Sequence, residues 1–374
     1  MRSRIPSLTG IRAIAALTVC LTHAAFWTGY YTDDFVGRLL ARFEIGVAIF
    51  FVLSGFLLFS PWVHALTAER DLPSVGRYLW HRARRVLPAY WLTVIAVYVL
   101  YLVYEPADAA PTGTGWSGFL RNMSLTQVYG AGHLHSGLTQ MWSLAAEVVF
   151  YLLLPPLAWL LAVLICRRRW RPDLLLVGLG ALMLVSPIWS VVVAGSTGIS
   201  PTARLWAPAF FGWFVAGMIL AVCRHLIRRW DPTLSVLVAV GAFVLSGTAI
   251  AGEPTITPTS ASATIVKHLL YVIVAVGLIG PLAIRGSSDD DWWSRVCGNR
   301  PMVWLGEISY EFFLVHVIVL EVVMDLKNWR VFTGSMPVAF VLTTAASVPI
   351  AWLLHRVTRP VTHAHTPEVL TGRR

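Results

Sequence analysis

Charge is what this chain has least of: Asp, Glu, Lys and Arg together make up 13% of its 374 residues. Soluble domains run near ~25% charged, so a water-exposed fold of this size would have little to cover its surface with. An ordinary soluble enzyme is excluded on that ground, and disorder is excluded because it needs low hydrophobicity. Lysine is almost absent, with only Lys267 and Lys327. Cysteine is sparse: Cys20, Cys166, Cys223 and Cys297 lie far apart. Neither a disulfide framework nor a metal site is expected from that spacing.

Apolar and aromatic residues fill the space, at 57% of the chain with a mean hydropathy of +0.68. A membrane-crossing helix needs ~20 mostly apolar residues. Ten such runs occur, at about 8–28, 43–63, 88–104, 141–165, 172–194, 206–223, 232–252, 265–284, 303–323 and 336–355. The expectation is an all-α polytopic membrane protein of about ten helices, one transmembrane domain over 1–374 without an appended soluble domain. No cleavable leader is expected, because the first apolar run carries Arg12 and His23 and leads straight into a second.

The net charge of +10 would suggest nucleic acid on a soluble chain. Here the arginines cluster between apolar runs, which is an orientation signal. With the N-terminus inside and the runs alternating, 22 of the 29 basic residues fall on the inner side. They include Arg2, Arg4 and Arg12, the Arg82–Arg84–Arg85 cluster, and Arg373 and Arg374. Both termini are therefore expected in the cytoplasm, with multi-pass residence in the cell membrane and no nucleic-acid partner. The longest outer connection is about 105–140.

Ionisable groups inside spans are costly and mark sites by default. Arg12 and His23 are eleven residues apart in the first run, which is three helical turns plus ~20° and ~16 Å of axis, so both face one way. Glu44 opens the second run, and Gly46, Ser54 and Gly55 within it permit close helix contact. Before the third run, Arg82, Arg84 and Arg85 precede Pro88; they orient the chain, or offer paired donors to a phosphate. Ser143, Glu147 and Tyr151 follow Trp142 at i, i+4, i+8, one polar stripe. Counted from the outer ends, Glu147 lies ~9 Å deep and His23 ~8 Å deep, an acid and a histidine at one level. A carboxylate orienting a histidine is a recurring general-base arrangement. The ninth run carries Ser309, Tyr310 and, in its outer half, His316.

Five segments in order resemble the acyltransferase-3 superfamily of integral-membrane O-acyltransferases. They are Leu8-Thr-Gly-Ile-Arg12…His23, Gly46-Val-Ala-Ile-Phe-Phe-Val-Leu-Ser-Gly55-Phe56, Arg82-Ala-Arg-Arg85-Val-Leu-Pro88-Ala-Tyr90, Trp142-Ser-Leu-Ala-Ala-Glu147-Val-Val-Phe-Tyr151, and Leu305-Gly-Glu-Ile-Ser-Tyr310-Glu-Phe-Phe-Leu-Val-His316. Two positions depart from the family pattern: Thr9 replaces a frequent Asp, and Ala48 replaces a frequent Asp or polar residue. Glu44 is a candidate stand-in for the second. The dominance of Arg over Lys and the Ala-rich spans fit a high-GC, actinobacterial source.

The resemblance implies transfer of an acyl group, usually acetyl from acetyl-CoA, to a hydroxyl, with functional roles for Arg12 and His23. Acceptors in the family are cell-envelope glycans, glycolipids and macrolide-type metabolites. No permanently bound cofactor is expected; acyl-CoA is a co-substrate. With the depth reading, the donor phosphates fall at Arg12, Arg82 and Arg85. His23 serves as general base or transient acyl carrier, and Glu147 orients it. Glu44, Trp142, Ser143, Tyr151, Ser309, Tyr310 and His316 support the site. The expected partners are the lipid bilayer, acyl-CoA and a carbohydrate, glycolipid or macrolide acceptor; a homodimer is left open. The rival reading is a transporter or flippase with a path through Arg12, His23 and Glu147, which would move solute without consuming acyl-CoA.

Overall fold

A computed structural model describes residues 5–104, 106, 108, 110–196, 198–255, 260–284 and 291–359. The orientation charges Arg2, Arg4, Arg373 and Arg374 lie outside them. The described residues form fifteen α-helices and no strand. In order they are α1 Pro6–Trp27, α2 Phe35–Ala41, α3 Ile45–Thr67, α4 Val75–Val103, α5 Gly115–Met123, α6 Trp142–Trp159, α7 Pro172–Met183, α8 Val185–Gly195, α9 Ala207–Cys223, α10 Pro232–Ser246, α11 Ala261–Ala283, α12 Trp292–Gly298, α13 Arg300–Glu307, α14 Ser309–Leu326 and α15 Met336–Thr358.

The helix starts follow local chemistry. Proline occupies the first turn of α1, α7, α9, α10, α13 and α15, where its missing N–H costs nothing. Side chains of Asp231, Ser260, Asp291 and Asn299 accept from the first free N–H groups of α10, α11, α12 and α13. The core is a bundle around α1, α3 and α9, and small residues set its spacing. A Cβ on Gly46 would meet the Ala15 carbonyl oxygen of α1 at 2.1 Å, and one on Gly55 would meet the Phe214 oxygen of α9 at 2.0 Å. Backbones approach that closely only over glycine.

Eight helical stretches are long and apolar enough to cross a membrane. Two of the ten expected runs differ. The run at 232–252 forms the 15-residue α10 and a separate 3-10 turn, Ala249–Ala251. The run at 303–323 is broken at Ile308 into α13 and α14, and α14 is 18 residues long with three carboxylates, Glu311, Glu321 and Asp325. Those acids are accommodated by partners: Glu311 contacts His355 of α15 at 2.9 Å, while Glu321 accepts from Ser136 at 2.8 Å and from Tyr101.

Two boundaries move in ways that matter below. Arg82, Arg84 and Arg85, expected in a loop, stand within α4, which starts seven residues before Arg82 behind the Ser74 cap. The fourth span starts at Ser136 rather than 141, because Ser136–Met141 is a 3-10 helix feeding α6.

Candidate active site

Helix α1 carries a polar cluster at each end. At its Arg12 end, a cavity of about 180 Å³ is lined by Arg12, Ser54, Arg82, Arg85, Ser143, Glu147, Tyr151, Ser309 and Tyr310 among apolar side chains. Five segments meet there: α1, α3, α4, α6 and α14. Arg12 is within electrostatic reach of Arg85, Tyr151, Glu147 and Arg82. Glu147 Oε1 accepts from Ser54 Oγ at 2.6 Å, and Tyr151 lines the same cavity within electrostatic reach of its carboxylate. Tyr310 donates to the Val86 carbonyl of α4 at 2.9 Å, which ties α14 to the same wall. Ser143 Oγ donates to the Gln140 carbonyl at 3.2 Å.

Three guanidiniums face one carboxylate, which leaves a surplus of two positive charges inside an apolar-walled chamber. Such a surplus is unfavourable alone and becomes favourable with an anionic ligand. Guanidinium pairs suit phosphate oxygens by geometry.

At the other end, His23 meets His316 of α14: His316 Nε2 lies 3.0 Å from His23 Nδ1. Each ring also touches a backbone carbonyl through Nδ1, His23 to Val19 O at 2.9 Å and His316 to Phe313 O at 2.8 Å. Carbonyls only accept, so in the neutral pair both Nδ1 atoms carry the proton. The lone pair of His316 Nε2 then faces the His23 Nδ1–H, and His23 Nε2 is left unprotonated. That is the tautomer a base needs, held from behind by a neighbour, as an orienting residue holds a catalytic histidine.

Glu147 is not that neighbour. Ser54, its partner, lies about three turns along α3 from Glu44, and Gly46 packs on α1 at Ala15, Thr18 and Val19, so Ser54 falls at the Arg12 end. The depth count started at Met141, whereas the span starts at Ser136. The five extra residue steps of 3-10 helix at ~2.0 Å each carry Glu147 ~10 Å further in. The acid that does interact electrostatically with His23 is Glu44. Glu44 Oε1 accepts from Lys267 Nζ at 2.8 Å and from Tyr271 at 3.1 Å. Trp142 packs on Phe210, with ring centroids 4.9 Å apart, and does not line the cavity.

Ser54, expected only to permit close helix contact, holds Glu147, and Lys267 and Tyr271 join Glu44 without having been expected from the sequence. For Ser54 the available signal was a hydroxyl midway along an otherwise apolar helix. For Lys267 it was rarity, one of two lysines in the chain. His316 was named only as a supporting residue, and its contact with His23 depends on α1 and α14 being neighbours.

The sequence model for the acyltransferase domain of the acyltransferase-3 family matches residues 5–356. The chain is 28% identical to acyltransferase MdmB of Streptomyces mycarofaciens over 336 residues, 85% of this chain and 79% of that one. It is 25% identical to peptidoglycan O-acetyltransferase OatA of Listeria monocytogenes over 369 residues, and 23% to O-acetyltransferase OatA of Staphylococcus aureus over 349. These matches cover 90% and 89% of this chain but 53% of each OatA, so the chain spans about half the length of those relatives. No solved structure matches. The chain belongs to the acyltransferase-3 family. It is a multi-pass plasma-membrane O-acyltransferase of bacterial type, which displaces the transporter reading.

Proposed function

We propose that this enzyme moves an acetyl group from cytoplasmic acetyl-CoA to a hydroxyl of a cell-envelope glycan, glycolipid or macrolide-type acceptor, with His23 as general base. The observation that carries this reading is the two-ended α1: a guanidinium-rich cavity at Arg12 and a His23–His316 contact of 3.0 Å eleven residues away. The relatives named O-acetyltransferase support acetyl as the group moved. The supporting topology is ten crossings with both termini cytoplasmic, α10 and the α13–α14 pair supplying the two beyond the eight long helices.

The chain's own groups divide the work. Arg12, Arg82 and Arg85 hold the donor's phosphates, with Glu147, held by Ser54, offsetting part of the repulsion among the three guanidiniums. Fixed charges that need no rearrangement bind an anion with the least loss of freedom. The pantetheine arm runs along α1, whose ~16 Å between Arg12 and His23 brings the thioester to the far end. His23 Nε2 takes the proton of the acceptor hydroxyl as its oxygen attacks the thioester carbonyl. The C–S bond breaks, and the sulfur leaves as thiolate. With a thiol pKa of ~8.5 it needs little acid assistance, and the proton on His23 returns to it. The imidazolium formed in between is steadied by His316 Nε2 and Val19 O.

The test is labelled acetyl transfer from acetyl-CoA in membranes holding wild type or His23→Ala. The expected result is loss of transfer at unchanged membrane protein level. Normal transfer by the variant would exclude His23 as base and carrier alike.

A further inference from the structure

Two aromatic rings from different helices stand between the Arg12 cavity and the histidine pair. Along α3 the cavity is lined from Leu58 and Ser54 as far as Phe50 and Val47, and Glu44 follows one turn on. Along α14 it is lined by Ser309, Tyr310 and Phe313, and His316 follows one turn on. Its wall on the histidine side is therefore Val47, Phe50 and Phe313. The Phe50 and Phe313 rings meet edge to face, with centroids 6.4 Å apart. The Phe313 ring in turn lies 5.7 Å from the ring of His316, whose Nε2 touches His23. One aromatic layer thus parts the guanidinium-lined space from the His23–His316 contact.

The backbones behind both rings are held. The Phe313 carbonyl accepts from His316 Nδ1 at 2.8 Å and from Gln140 Nε2 at 3.4 Å. Phe50 lies on α3 between Gly46 and Gly55, where that helix is wedged against α1 and α9 without room for a Cβ on either glycine. Close-packed interiors transmit strain instead of yielding to it. Any opening in the wall therefore comes from rotation of the two side chains, and its width is set by their size.

We propose, on the reading of Arg12 and His23 as the two ends of one donor site, that Phe50 and Phe313 select the acyl group by its width. A coenzyme A thioester anchored by its phosphates at Arg12, Arg82 and Arg85 sends its acyl group first toward His23, and the unbranched part of the pantetheine arm follows. The gem-dimethyl carbon of that arm lies next to the phosphates and stays on the cavity side. Only an unbranched chain therefore stands between the rings when the thioester reaches His23. An opening that admits this chain admits a straight acyl group as well. What it excludes is a branch, because an extra methyl group at a packed aromatic wall forces side chains off their rotamers. Truncating either ring removes the limit.

The test compares labelled acetyl-, butyryl- and isobutyryl-CoA as donors to acceptor-bearing membranes that hold wild type, Phe50→Leu, Phe50→Ala or Phe313→Ala. The two four-carbon groups are isomers that differ in width and not in atom count. The readout is kcat/KM for each donor relative to acetyl-CoA in the same protein, which cancels a general loss of activity or of folded enzyme. The expected result is that Phe50→Ala and Phe313→Ala raise the isobutyryl value at least about tenfold, the scale of one methyl group in a fitted pocket, with a smaller gain for butyryl. Phe50→Leu should fall between wild type and Phe50→Ala. Isobutyryl values unchanged in Phe50→Ala, or equal gains for both isomers, would overturn selection by width while leaving the donor site in place. Absence of transfer from all three donors in wild type would overturn the donor reading, and the selector with it. Should Phe313→Ala fail to fold, because its ring also packs on His316, Phe50→Ala decides alone.

Discussion

His316 Nε2 lies 3.0 Å from His23 Nδ1, bridging α14 and α1 across 293 residues of sequence. With both Nδ1 protons directed at backbone carbonyls, the contact fixes which nitrogen of His23 remains basic. His316→Ala should lower kcat by about tenfold to a hundredfold while leaving the donor KM in place, since general-base contributions run ~10²–10⁴ and only orientation is lost. A pH–rate profile separates the roles: loss of orientation shifts its limb, whereas a purely structural loss lowers the rate evenly across pH.

The Arg12 end should behave independently. Arg82→Ala and Arg85→Ala each remove charge-assisted hydrogen bonds worth about 1.5–3 kcal/mol, so donor KM should rise roughly tenfold or more with the acceptor dependence unchanged. Titrating acetyl-CoA at fixed acceptor-bearing membranes measures this. An unchanged donor KM in both variants would count against a phosphate site there.

Glu147 is the single carboxylate lining the described cavity among three arginines, so Glu147→Gln should cost more in stability than in chemistry. Removing one partner of a buried ionic group costs about 3–5 kcal/mol. Ser54→Ala removes one hydrogen bond to the same carboxylate and should cost about 1.5–3 kcal/mol, the range for bonds to charged groups. Thermal unfolding in detergent should order the three proteins as wild type, Ser54→Ala, Glu147→Gln.

His135 supplies a pH signature outside the spans. It is buried between the rings of Tyr98 and Tyr101, and desolvation pushes its imidazole down from 6.5 to about 4. The unfolded chain binds that proton first, so the stabilisation is complete above the unfolded value and is lost as pH falls from 6.5 toward 4. His135→Phe keeps an aromatic ring without a titrating group, and its melting temperature should fall less over that window than wild type.

Much of this was legible in the sequence because the bilayer imposes strong rules. Long apolar runs announce helices, and ionisable residues inside them announce polar clusters in the bundle, as Arg12 and Glu147 in one cavity and His23 beside His316 do. Collinear motifs carried the family resemblance. What one sequence does not encode openly is which helices touch. The expected pairing of Glu147 with His23 fails because the 3-10 turn at Ser136–Met141 reads as loop by composition, so a count from Met141 leaves its length out. His316 found its partner only once α1 and α14 were seen side by side. The break at Ile308 was hidden inside a continuous apolar run, where Ser309 Oγ returns to the Gly306 carbonyl at 2.9 Å. Arg82 and Arg85 were placed in a loop because charge usually marks span ends, whereas α4 begins well before them.

The most direct measurement of the central claim compares lipids, envelope glycans and secreted metabolites by mass spectrometry. The cells lack the gene, carry it, or carry His23→Ala at equal membrane level. The account predicts one species heavier by a single acetyl unit only with the wild-type gene. The same acetylated species in cells carrying His23→Ala would contradict it.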